Sequence, residues 1–477
     1  MKKLLSAIFV TVALGACATT AQNNLTASDT AKTTAIAFSA PKNIIMVVGD
    51  GMGPAYITAY RYFKDNPATK TIEQTVFDRT LVGIASTYPA RVSGYVTDSA
   101  ASATALATGI KSYNGAIGVD VDKNPVETVL EWAKKQGMKT GVVVTSQVNH
   151  ATPASYLAHN ESRKNYNAIA DSYLDDGIKA DIILGGGWQY FIRDDRNLVN
   201  EFKAAGFHYL DTPKTLNNLP PQTQVLGLFA DVGLPWALDD ANKLRLSAMT
   251  KAAVKQLDSY QVSQDQASTE QGYFLLVEAS QIDWAGHAND IAAAMAEMDD
   301  LAKTLEYLEE YVKNNPDTLV IVTADHSTGG FTVAANGLYE WDPTILRKMK
   351  HSPQKIAKQL VKTEISIKSA SERLNFNVTA EEVILLQQAK NQTIAELASF
   401  NHLNKAEQKK TSKPRVSKSI YGAIKQIIDT RTNTGWTSDG HTAIDVPVFA
   451  FGKSSTMFKG QMDNTDIAKK IFILLGK

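Results

Sequence analysis

The chain has 477 residues, 44% hydrophobic and 21% charged, the balance of an ordinary globular protein. Lys and Arg number 49, as do Asp and Glu, so no global field exists to hold nucleic acid as a specific partner. A single cysteine excludes an intramolecular disulfide and a thiolate metal cluster, and leaves eight histidines as soft ligands.

At the N-terminus, Met1-Lys2-Lys3 precedes an apolar run from Leu4 to Ala16. At about 13 residues this run is too short to span a bilayer, and it has the length of a signal-peptide core. It ends Leu14-Gly15-Ala16-Cys17, and small residues before a lone Cys resemble a bacterial lipobox. The resemblance implies cleavage of residues 1–16 and a lipid anchor at Cys17. The protein would then be exported, either periplasmic or an outer-membrane-anchored lipoprotein. An ordinary signal peptide with an incidental Cys is the alternative. Residues 17–40, rich in Ala, Thr, Ser and Asn, read as a flexible tether.

From residue 41 onward, short apolar runs alternate with helical patterns. Strands are predicted at Asn43–Val48, Leu81–Tyr88, Thr140–Thr145, Asp181–Leu184, Tyr273–Val277, Leu319–Thr323 and Val446–Phe451. Helices are predicted at Val126–Gln136, Leu244–Tyr260 and Ile291–Lys313. This alternation indicates an α/β fold, with a large mostly parallel central sheet and helices on both faces. Within the domain 41–477, the stretch 336–430 breaks the alternation. It is mainly helical in pattern, as in Ala380–Ala398, and reads as an inserted subdomain. Its basic segment, Lys405 to Lys418, is better explained as a solvated loop than as a polyanion site.

Sites in such sheets form beyond the carboxyl ends of strands. That is where this chain places its ligand-type side chains. Asp50 follows the first strand. Glu278 follows Tyr273–Val277, with Asp283 and His287 four residues apart just beyond. Asp325 and His326 follow Leu319–Thr323, and His441 precedes the last strand. Carboxylates with imidazoles suit Zn²⁺, and carboxylates with hydroxyls suit Mg²⁺. A lone His is more often a packing residue, but four such strand ends in one sheet point to a site. Ser99 stands at the start of a small-residue run, Val96 to Gly109. It could be a helix cap, the better reading in isolation, or a nucleophile at a helix N-terminus. His150-Ala151-Thr152-Pro153 follows the third strand. Arg163, a little further on, could clamp phosphate or form a surface ion pair.

Together, NIIMVVGDGMG, VTDSAASATALATG, HATPASY, SRKNY, VEASQIDWAGHAND, VTADHSTGG and SDGHTAIDVPVFAFG resemble the bacterial alkaline phosphatases. The stretches occur in family order and cover residues 41–335 and 430–477. The resemblance implies hydrolysis of phosphate monoesters with two Zn²⁺ and one Mg²⁺. Ser99 would be the nucleophile that forms a phosphoserine. Asp283, His287 and His441 would hold the first zinc. Asp50, Asp325 and His326 would hold the second, with Ser99 coordinated to it and Asp50 bridging to magnesium. Thr152 and Glu278 would complete the magnesium ligands. Arg163 would clamp phosphate, oriented by Asp98. A serine hydroxyl is a poor nucleophile until a metal lowers its pKa, and a guanidinium suits the nonbridging oxygens.

Two positions vary within the family. His150 stands where some members carry a carboxylate, and implies contact with magnesium through water. Trp284 stands where some carry Lys or His near phosphate. It implies weaker phosphate retention, unless it simply packs against the insert. His159, His208, His351 and His402 match no strand end and read as structural. A phosphodiesterase of the same superfamily is the principal alternative, although Arg163 would occupy the space a second ester group needs. A sulfatase is disfavoured because Ser99 lacks the Pro and Arg that its modified nucleophile requires. A lipoprotein that binds metal or phosphate without turnover is disfavoured by the complete ligand set. Without disulfides, stability must come from core burial, metal and a homodimer.

Overall fold

The computed structural model describes residues 39–260 and 272–477. The signal segment, Cys17 and nearly all of the tether therefore lie outside the described residues.

Ten strands form one sheet. They are β1 (Asn43–Gly49), β2 (Leu81–Ser86), β3 (Lys139–Gln147), β4 (Ile182–Gly186), β5 (His208–Leu210), β6 (Val225–Leu228), β7 (Tyr273–Ala279), β8 (Thr318–Thr323), β9 (Val446–Gly452) and β10 (Gly460–Asp463). Their spatial order is β10-β2-β9-β8-β1-β7-β3-β4-β6-β5. Neighbours are parallel except where β9 runs antiparallel to β2 and β8. Every residue of β1, β4, β7 and β8 is buried, because these strands are apolar without alternation and helices cover both faces. Each large side chain from Ile44 to Val48 contributes roughly 1.5–3 kcal/mol by leaving water.

Two groups of helices pack closely. Pro54–Lys64, Arg245–Ser259 and Ile291–Asn314 pack together, as do Ser99–Thr108, Val129–Lys135, Ala151–Leu157 and Asn464–Leu474. Some boundaries differ from expectation. The helix predicted from Val126 begins at Val129, because Thr128 caps it: its hydroxyl accepts from the Glu131 N–H at 3.1 Å, and the Glu131 carboxylate accepts from the Thr128 N–H at 2.9 Å. The strand predicted to Tyr88 stops at Ser86, where its pairing with β10 ends opposite Asp463. β5, β6 and β10 are too short to carry an apolar signal. Between 336 and 430 lie the helices Thr344–Lys348, Pro353–Val361, Ile367–Leu374, Ala380–His402, Lys405–Lys410 and most of Val416–Thr432. The last of these docks beside the sheet's ligand-bearing end. Its Lys425 donates to the Ala288 carbonyl, and its Tyr421 hydroxyl donates to Asp290 at 2.8 Å.

A buried ionic cluster anchors the helix Gln281–His287. One Arg245 nitrogen, Nη2, donates to both Glu297 oxygens at 2.7 and 2.8 Å and to Gln281 Oε1 at 2.7 Å. Nη1 donates to Asp300 at 3.2 Å. The Gln281 amide then donates to the carbonyls of Leu234 and Thr145. Removing the cation would leave two carboxylates buried and uncompensated. Arg245→Met is therefore expected to lower unfolding stability by about 3–5 kcal/mol in denaturant titration. A loss under about 1 kcal/mol would show that the cluster contributes little beyond its own desolvation cost.

Candidate active site

The central strands place their C-terminal residues side by side. Val48 of β1 lies opposite Glu278 of β7 and opposite Thr323 of β8. Asp50, Glu278 and Asp325 thus emerge on neighbouring strands, with Glu278 still inside β7. Gly51 turns the chain away with φ +74°, and a side chain there would meet Asp283 Cα at 2.7 Å.

Three groups of potential metal ligands result: Asp283, His287 and His441; Asp50, Asp325 and His326; and Asp50, His150 and Glu278. Within each, one ligand atom per residue lies within 4.8 Å of the others. In the first group, Nε2 of His287 is 3.4 Å from Asp283, and Nε2 of His441 is 3.6 Å from it. Nδ1 of His287 faces the Asp439 carbonyl, and Nδ1 of His441 faces the Thr97 carbonyl at 2.9 Å. Carbonyls only accept, so Nδ1 carries the proton and the Nε2 lone pair faces the cluster.

The buried oxygens fit cations. Both Asp50 oxygens, Glu278 Oε1 and Thr152 Oγ1 are buried without a hydrogen bond. Burial, then repulsion from Asp325, Asp283 and Glu278, pushes the Asp50 carboxyl well up. Burial is also the main cause that raises Glu278 to about 7, and Asp325 adds to it. Burial raises Asp325 too, but the His326 imidazole and the Gly51 N–H outweigh it and hold it low. Thr152 lies in the helix Ala151–Leu157, close enough to Glu278 to hold that carboxyl's rise in check.

Ser99 is the first residue of its helix, and Asp98 is the cap: Asp98 Oδ1 accepts from the Ala101 N–H at 3.0 Å. The cap reading of Ser99 is thereby corrected. Its hydroxyl is buried, 3.1 Å from His326 Nε2. Arg163 Nη1 donates to Asp98 Oδ2 at 3.0 Å, and Nη2 lies 3.3 Å from His150 Nε2. A guanidinium only donates, so His150 Nε2 accepts. Burial, then the Arg163 charge, holds His150 down near 3, so it is neutral. Trp284 meets His150 edge-on with ring centroids 5.9 Å apart. Its other side lies over Gly233, where a methyl would fall 2.4 Å from the ring. Trp284 thus touches His150 and this loop.

A family model described as alkaline phosphatase matches residues 41–476. The chain belongs to the alkaline phosphatase family. It is 44% identical over 440 residues to alkaline phosphatase 3 of Bacillus subtilis, covering 90% of this chain and 88% of that one. A solved cold-active alkaline phosphatase from a psychrophilic Shewanella is similar at 49% identity and a TM-score of 0.81, covering 91% of this chain and 100% of that one. A variant of the alkaline phosphatase of the Antarctic bacterium TAB5, solved with magnesium bound, is 27% identical with a TM-score of 0.64, covering 92% and 99%. Alkaline phosphatases are metal-dependent phosphomonoesterases, and the chain is an enzyme of this kind.

Sequence reasoning passed over two features of this alkaline phosphatase site. Thr328, two residues beyond His326, places its hydroxyl 2.5 Å from Asp283. Ser280 and Ser146 donate to Glu278 Oε2 at 2.7 and 3.4 Å. The hydroxyls in STGG, EAS and VTSQ are the only sequence trace, and isolated hydroxyls are common. His159 is structural, as expected. Its ring joins the Gly118 carbonyl at 2.6 Å to Glu131 at 2.8 Å, just before the loop that bears Arg163. Lys179 reaches the same carboxylate oxygen at 2.7 Å.

Burial pushes the Glu131 carboxyl up, but His159 and Lys179 outweigh it and hold it at about 2. A depressed carboxyl stabilises the fold above its unfolded pKa, near 4.5, and that contribution is lost as pH falls through about 2. Glu131→Gln is expected to flatten the fall of stability between about pH 4.5 and 2. An unchanged acid slope in the melting temperature of this variant would refute the assignment.

Proposed function

We propose that this chain transfers the phosphoryl group of a monoester to Ser99 and then to water, using two Zn²⁺ and one Mg²⁺. The carrying observation is the Nε2 pair of His287 and His441 turned toward Asp283, next to buried, unbonded oxygens on Asp50, Thr152 and Glu278. Imidazole with carboxylate suits zinc at Asp283, His287 and His441, and at Asp50, Asp325 and His326. The all-oxygen set of Asp50, Thr152 and Glu278 suits magnesium. The neutral His150 beside it adds no charge. Bound metals would supply Lewis-acid charge that activates the serine hydroxyl and offsets charge on the phosphoryl oxygens.

The chain's own groups do the remainder. Arg163, aimed by Asp98, holds nonbridging oxygens, and the helix N-terminus at Ser99 favours the anion. Ser99 releases its hydroxyl proton to solvent as Oγ attacks phosphorus and the bond to the leaving alkoxide breaks, and the alkoxide takes a proton from solvent. Water then cleaves the phosphoserine, returning Oγ–H and inorganic phosphate. A phosphodiesterase is the second reading, and Arg163 beside Ser99 disfavours it.

The N-terminal 16 residues would direct export, and Cys17 would anchor the protein through the tether 17–40, on the strength of the Leu4–Ala16 run. Leu81, Ile84, Val92 and Tyr95 are exposed apolar side chains that a homodimer would cover. The insert, 336–430, would border the mouth of the site, since Lys425 and Tyr421 grip the segment after His287.

The assay is a chromogenic monoester against its diester, with the enzyme as isolated, after chelation, and after Zn²⁺ and Mg²⁺ are returned. The monoester rate is expected to dominate, to vanish on chelation and to fall at least about 10³-fold in Ser99→Ala. Arg163→Ala is expected to cost about 10–100-fold in kcat/KM through lost charged hydrogen bonds. A dominant diester rate would favour the phosphodiesterase. No rate on either ester, with metal bound, would favour a binding protein. Trp284→Lys adds a cation beside His150, so inorganic phosphate should inhibit it more strongly than the wild type. A lower inhibition constant in the wild type would refute this.

A further inference from the structure

We propose that Thr328 is a positioning residue that locks the two metal triads into one unit, so that the two ions bind cooperatively. The inference rests on the two-metal reading of the site. Its basis is a single hydroxyl shared between triads. Thr328 Oγ1 donates to Asp283 Oδ1 at 2.5 Å, and it lies 3.2 Å from His326 Nδ1. A hydroxyl has one proton. With that proton given to Asp283, Oγ1 can only accept from His326. Nδ1 of His326 therefore carries a proton, and Nε2 is directed to Asp50 and Asp325, at 3.6 and 3.1 Å.

His287 and His441 have their Nδ1 held by backbone carbonyls. His326 differs, because its Nδ1 partner is a side chain that also holds a ligand of the other triad. If Asp283 shifts, the proton and lone pair of Thr328 shift with it, and so does the orientation of His326.

Thr328 is itself held firmly. It is fully buried. Its carbonyl accepts from the Tyr56 hydroxyl at 2.8 Å, and it pairs with His441 in a short antiparallel ladder. It therefore also sets the height of the first triad's second imidazole. Gly286 leaves the room it needs, since a methyl there would fall 2.9 Å from Thr328 Cβ.

The test compares Thr328→Val, which keeps the shape and removes the hydroxyl, with Thr328→Ser, which keeps the hydroxyl and removes the methyl. The apoproteins are titrated with Zn²⁺ against a chromogenic chelator, and their melting temperatures are recorded without metal. The wild type and Thr328→Ser should take up two zinc ions cooperatively. Thr328→Val should bind about 10–100-fold more weakly at both sites and lose cooperativity, with its apo melting temperature close to wild type. Wild-type affinity in Thr328→Val, or weakening at one site alone, would overturn the proposal. Equal weakening in both variants would also overturn it, by assigning the effect to packing. A wild type that binds no zinc would instead overturn the metal reading on which the proposal stands.

Discussion

Four carboxylates, Asp50, Glu278, Asp283 and Asp325, lie together at the C-terminal edge of the sheet, and their burial, with the repulsion it sharpens, is the constraint that the surrounding structure answers. An uncompensated buried charge costs several kcal/mol even after relaxation. The raised carboxyls of Asp50 and Glu278 show the chain answering this cost by favouring the protonated forms. Cations remove the cost and make each of these carboxylates useful. The same field favours the Arg163 guanidinium, whose own burial works against it and is outweighed by Asp98.

The sheet makes such crowding possible. Adjacent parallel strands lie about 4.8 Å apart, so the ends of β1, β7 and β8 bring together Asp50 and Asp325, just beyond their strands, and Glu278, which is opposite Val48 within β7. Here each is fixed by a strand buried on both faces. His441 comes from far along the chain and needs its own device, the antiparallel pairing with Thr328. The buried Arg245 cluster does the same for Asp283 and His287 by gripping Gln281 at the start of their helix.

Much of this was legible in the sequence because ligands sit at fixed offsets from apolar runs. Asp50 and Asp325 each follow a buried strand within two residues, and Asp283 and His287 share a helical turn. The strands themselves stood out because their apolar residues do not alternate. Hidden features depend on contacts between distant segments. The Asp283–Thr328 bond joins residues 45 apart through an atom type too common to signal anything. Ser99 was ambiguous because Asp and Ser are both good caps, and only the backbone shows that Asp98 takes that place. Trp284 was readable as a missing cation, but not as a ring resting on Gly233, because a glycine's role there is to leave space.

The geometry of Arg163 bears directly on monoester selectivity. A guanidinium has five N–H donors. One is committed to Asp98 and one to the neutral His150, which leaves three for a ligand. A phosphate monoester dianion presents three nonbridging oxygens, whereas a diester presents two and carries half the charge. Were cations held against the four carboxylates, the dianion would gain more from each cation it meets. His150 matters here through its neutrality: it fixes one edge of the guanidinium without adding a charge that would hold the product phosphate.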